Sequence, residues 1–103
     1  MSEEKIITLD LTDCKYLGEL HERIRVAFDF PEWYGANWDA FWDLLWSECD
    51  ADEVKITGEK SLPDKLSSEI DIMHKMLSKY QQERWEDSNR FDDIKSFQYS
   101  VEN

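Results

Sequence analysis

The sequence predicts an α/β fold: a small three-stranded parallel sheet with packed helices. Two observations carry this. Short β-branched or alternating runs lie near the start, middle and end of the 103 residues. Helical periodicity fills both intervals between them. Strands separated by helical crossovers pair in parallel, with right-handed connections expected. The length suits one domain, residues 1–103, with a single modest core that needs neither disulfide nor metal.

The elements follow in order. Ile6-Ile7-Thr8-Leu9-Asp10-Leu11 is β-branched and apolar and reads as a strand, and Thr12 to Lys15 form a loop. A helix is expected from about Gly18 to Asp29, with Leu20, Ile24, Ala27 and Phe28 on one apolar face. Pro31 ends it, because the residue before a proline is pushed away from helical dihedrals. Next come an aromatic turn, with Gly35 the expected positive-φ position, and a helix over about 38–48. Asn37 suits its N-cap, where the side chain accepts from free backbone N–H groups. Glu53 to Thr57 read as a second strand. Leu62, Leu66, Ile70, Met73, Leu77 and Tyr80 then step by four, four, three, four and three. That spacing predicts a long amphipathic helix starting near Pro63 and reaching about Asp87, as one helix or as two with a break. Ile94 to Val101 alternate and read as the third strand.

Composition narrows the function. The net charge is −12, from 24 acids against 12 Lys plus Arg. Such a field repels nucleic acid and anionic membranes and speeds encounters with basic partners; it also serves plain solubility. Between Val26 and Val54 there is no Lys, Arg or His, but there are eight acids: Asp29, Glu32, Asp39, Asp43, Glu48, Asp50, Asp52 and Glu53. No segment has the length of a membrane span, and the N-terminus lacks a signal-peptide apolar run. A soluble cytoplasmic protein is therefore expected, with Cys14 and Cys49 reduced and idle. Neither cysteine has metal-ligand spacing, and no metal or cofactor is expected.

The segment Pro31-Glu32-Trp33-Tyr34-Gly35-Ala36-Asn37-Trp38-Asp39-Ala40-Phe41-Trp42-Asp43-Leu44-Leu45 is the most informative. On a helical wheel Trp38, Phe41, Leu44 and Leu45 form a core face. Asp39 and Asp43 fall together on the opposite side, and Trp42 and Trp46 sit on the border nearest them. Like charges at i,i+4 repel by a few tenths of a kcal/mol, a repulsion that an external cation relieves. Trp33 and Tyr34 lie in a turn, where aromatics need a reason to be. The plain alternative is a solvated helix face with core tryptophans. Aromatics around desolvated charge are nonetheless the composition of a protein interface, and bidentate pairing with Arg would add specificity.

This run resembles the signature of the barstar family, intracellular inhibitors of a secreted bacterial ribonuclease. The element order is also similar to that family's, and Leu20-His21 matches it too. The resemblance implies a barstar-like fold and an immunity function of toxin–antitoxin type. The helix and its preceding loop would enter the active site of a cognate bacterial ribonuclease toxin, as a 1:1 complex. Trp33 is then the loop aromatic, and Gly35 and Asn37 shape the loop. Asp39 and Asp43 stand in for substrate phosphates, pairing with catalytic Arg, Lys and His, and Trp42 packs beside them. Tyr34 and Trp46 complete the expected partner-binding set. Ala36 replaces an acid of the family pattern and Trp38 an aliphatic residue. The family also uses an acid on a later helix, for which Glu69, Glu83 and Glu86 are the candidates here.

Other function classes stay on the table. An acidic adaptor, or a nucleic-acid mimic binding a basic non-nuclease partner, shares the charge but not the aromatic motif. An enzyme is not expected, since no His or Lys lies near Asp39 and Asp43 in sequence and no Gly-rich loop cradles phosphate. His21 and His74 read as ordinary helix residues. No direct nucleic-acid or membrane contact is expected.

Overall fold

A computed structural model describes residues 5–49, 51–90 and 97–102. The order is β1 (Ile6–Asp10), α1 (Leu17–Phe28), α2 (Trp38–Ser47), β2 (Glu53–Thr57), α3 (Ser67–Arg90) and β3 (Gln98–Glu102). The strands form one parallel sheet in the order β1-β2-β3. This is the predicted α/β architecture. The third strand sits slightly later than expected; positions 94–96 of that expectation lie outside the described residues.

Register decides which face is core. Ile7, Val54 and Tyr99 are aligned across the strands, as are Leu9, Ile56 and Val101. Ile7, Leu9, Val54 and Ile56 are buried, and the intervening Thr8, Lys55 and Ser100 are not. The sheet thus packs on one face only, although parallel sheets are usually covered on both. One-sided packing explains why these short strands alternate. Each fully buried Val, Leu or Ile here contributes roughly 1.5–3 kcal/mol.

The helices close over that face with the residues their periodicity predicts. Leu20, Ile24 and Phe28 come from α1, Phe41, Leu44 and Leu45 from α2, and Ile70, Met73, Leu77 and Tyr80 from α3. Helix α1 ends in a Schellman arrangement: Asp29 takes the left-handed conformation at φ 57°, and Phe30 N–H donates to Arg25 O at 2.9 Å. Pro31 follows two residues later.

The expected start of the long helix at Pro63 needs correction. Pro63 is extended, with ψ 153°, and precedes a 3-10 turn over Asp64–Leu66; a second 3-10 turn spans Glu59–Ser61. Helix α3 begins at Ser67 and runs unbroken to Arg90. The chain before it is held by a distant loop, since Asp13 N–H donates to Ser61 Oγ at 3.0 Å and Ser61 Oγ donates to Gly58 O at 2.8 Å. Leu62 and Leu66 still reach the core side, so the apolar spacing was visible but the local tie was not.

Gly58 is pinned at the same junction. Its φ is +79°, and a Cβ there would lie 2.4 Å from the backbone nitrogen of Thr12. Gly58→Ala combines left-handed strain with a backbone clash. It is expected to cost about 2 kcal/mol or more, read as a lower urea midpoint at unchanged m-value; an unmoved midpoint would refute the close approach.

Candidate functional site

The turn before α2 is built by its own side chains. Tyr34 N–H donates to Pro31 O at 3.0 Å and closes it. Gly35 does not supply the positive φ; Ala36 does, at φ 52°. A left-handed Ala costs roughly 1–2 kcal/mol, which the surrounding bonds must hold. Gly35 is needed for a different reason: a Cβ there would stand 3.0 Å from Asn37 Nδ2, which donates to Gly35 O at 3.0 Å. Asn37 meanwhile accepts from Ala40 N–H through Oδ1 at 2.8 Å, the expected N-cap. One amide side chain thus folds back on the turn and starts the helix.

The two turn aromatics part company. Trp33 is 73% exposed, whereas Tyr34 is buried at 8%. Tyr34, expected in the partner-binding set, is packed inward and supports the turn from inside. Its hydroxyl lies 2.7 Å from His21 Nδ1, and burial pushes its phenol pKa up. The His21 ring also packs on Trp38, centroids 4.5 Å apart, and the Trp38 indole N–H donates to Glu69 Oε2 at 2.9 Å. Through His21, Tyr34, Trp38 and Glu69, helix α1, the turn, α2 and α3 are joined in one chain of contacts. His21 is thus a positioning residue, a role that the sequence reading as an ordinary helix residue missed. Its signals were an imidazole beside the apolar Leu20, Ile24 and Phe28 and the match of Leu20-His21 to the family pattern.

On the opposite side of α2, Asp39 and Asp43 are exposed. Among the described residues neither carboxylate has a hydrogen-bond or ion-pair partner. Asp39 lies in the first turn, where the helix dipole favours it. Trp42 and Trp46 pack edge-on, centroids 6.1 Å apart, and Trp46 packs on Tyr80 of α3 at 4.8 Å. Trp42 is half-buried and Trp46 is 41% exposed. The surface is a bare carboxylate ridge with an indole edge. Of the later-helix acids, Glu69 is engaged with Trp38, Glu86 is exposed, and Glu83 Oε2 is buried without a hydrogen-bond partner. His74 pairs with Glu59 at 2.7 Å. Among the described residues no group of three His, Cys, Asp or Glu is placed to hold a metal ion, and no helix is long and apolar enough to cross a membrane.

Burial of His21 makes the scaffold acid-sensitive. Desolvation lowers its pKa below the usual 6.5, against the opposing charge of Glu69. Unfolding exposes an imidazole that binds protons near 6.5. Its contribution to stability is therefore full above that pH and is lost as pH falls through the lower folded value. Between pH 7.5 and 5.5, urea unfolding is expected to show a larger stability loss for the wild type than for His21→Gln. Equal losses would mean the imidazole is not held neutral by the fold.

Residues 4–95 match the family described as Barstar (barnase inhibitor). A protein of Bacillus subtilis (strain 168), named "Putative ribonuclease inhibitor YrdF", is 41% identical over 39 residues. That alignment covers 38% of this chain and 43% of the relative, so it spans less than half the length of either. The family match, by contrast, takes in the first two strands, all three helices and the carboxylate ridge. On that extent of agreement, together with the parallel three-stranded fold, this chain belongs to the barstar family.

Proposed function

We propose that this chain, acting as one domain over residues 1–103, is an immunity protein of the bacterial cytoplasm that blocks the active site of a cognate ribonuclease toxin in a 1:1 complex. The observation that carries this reading is the pair of exposed, unpartnered carboxylates Asp39 and Asp43, one helical turn apart beside exposed indole. A ribonuclease binds phosphates and so presents cations in its cleft. Two carboxylates on a capped helix are suited to meet those cations, with Trp33 and Trp46 excluding water around them. Gly35 and Asn37 hold the turn, Tyr34 supports it from inside, and Trp42 packs beside Asp43. The protein supplies no chemistry of its own in this reading; it occupies the cleft that substrate needs.

The net charge of −12 favours fast, salt-sensitive association with a basic partner. It would equally serve an acidic adaptor. The two readings separate in a titration against a ribonuclease toxin encoded beside this gene, with RNA cleavage followed in parallel. Stoichiometric binding that stops cleavage is expected. Asp43→Ala should weaken binding by about 3–5 kcal/mol, because it strands a buried partner cation. A loss below about 0.5 kcal/mol, the level of an ordinary surface position, would remove Asp43 from the interface. Binding to many basic proteins that vanishes at modest salt would point to the adaptor.

A further inference from the structure

The sequence around the ridge is free of bases from Val26 to Val54, yet folding brings one there. Lys79 of α3 places its Nζ over the Trp42 ring, 5.3 Å from the centroid. The same indole packs edge-on against Trp46 and Tyr80, at 6.1 and 6.4 Å. Lys79 is exposed, and among the described residues no carboxylate lies within ion-pair distance of it. Its ammonium therefore sits over the indole without an ion-pair partner among the described residues. A partner that packs on Trp42 meets this ammonium at once, next to the two carboxylates that attract it.

We infer that Lys79 is a specificity-determining residue: the ammonium held over Trp42 repels ribonucleases that bring a cation to this edge of α2 and favours one that brings a carboxylate or carbonyl oxygen there. This rests on the proposal that α2 enters a nuclease cleft. Attraction at Asp39 and Asp43 is available to any basic nuclease, so discrimination needs a repulsive element. An ammonium with no ion-pair partner among the described residues, at the border of an acidic surface, supplies it. The cation–π contact keeps the ammonium over the ring.

The test uses barnase, the nuclease that the barstar family is named for inhibiting, as a probe. Lys65 gives a matched control, since its Nζ also lies over an aromatic ring, that of Tyr16 at 4.7 Å, and Tyr16 lies outside the ridge and its turn. Wild type, Lys79→Met, Lys79→Glu, Lys65→Glu and Asp43→Ala are titrated at low and high salt. Lys79→Glu is expected to bind barnase about tenfold tighter than wild type at low ionic strength, with Lys79→Met between them. Lys65→Glu should stay within about threefold, and the gain should shrink as salt contracts the Debye length. If Lys79→Glu gains no more than Lys65→Glu, the inference fails, whether or not wild type binds. If Asp43→Ala weakens binding in that case, only the role of Lys79 is lost. If it too is without effect, the reading of the ridge falls with it.

Discussion

The 2.7 Å hydrogen bond between His21 and Tyr34 is the contact on which the placement of α2 depends. It links α1 to the turn from inside the core, and the turn in turn sets where α2 begins. A buried hydroxyl or imidazole left without a partner costs about 1–3 kcal/mol. Each group therefore holds the other in register, and Trp38, packed at a tilt against the same imidazole, carries the constraint into the first turn of α2. Its indole N–H passes it on to Glu69 and α3. The left-handed Ala36 survives because both of its flanks are fixed: Tyr34 by burial, Asn37 by its two amide hydrogen bonds.

The exposed side of α2 can be unfavourable because its buried side is so favourable. Asp39 and Asp43 repel by a few tenths of a kcal/mol. Burial of Phe41, Leu44 and Leu45 contributes several kcal/mol, an order of magnitude more. The helix thus tolerates a bare carboxylate ridge without internal ion pairs. Such a ridge is unlike the surface of α1, where Glu22 pairs with Arg25 and Glu19 with Arg23. Acids on α1 are matched within the helix; among the described residues, Asp39 and Asp43 of α2 are not.

Much of this was legible in the sequence because it is local. Periodicity located the core faces of all three helices, β-branched runs located the first two strands, alternation caught the third across Gln98 to Val101, and Asn37 announced its own cap. What sequence concealed is contact between distant segments. The 3-10 turn over Glu59–Ser61 is tied to the loop at Asp13, 48 residues away. The burial of Tyr34 follows from an imidazole 13 residues earlier. Nothing in the local pattern separates it from its neighbour Trp33, which is exposed. The positive φ falls on Ala36, and the adjacent Gly35 instead lies in close contact with the Asn37 amide.

The adjacency of Trp33 and Tyr34 is itself informative about binding. Consecutive aromatics in an unanchored turn would both collapse onto the core, since each gains free energy by burial. Here Tyr34 is held inside by a hydrogen bond, whereas Trp33 is not packed in the interior. Its indole stays in water at 73% exposure, on a backbone that is already fixed. An exposed aromatic on a rigid turn has only its two side-chain torsions left to lose when a partner covers it, against roughly 1–2 kcal/mol per residue for ordering a free backbone. In the proposed complex, the interior hydrogen bond, although remote from any partner, would thereby lower the entropic cost of contact at the surface.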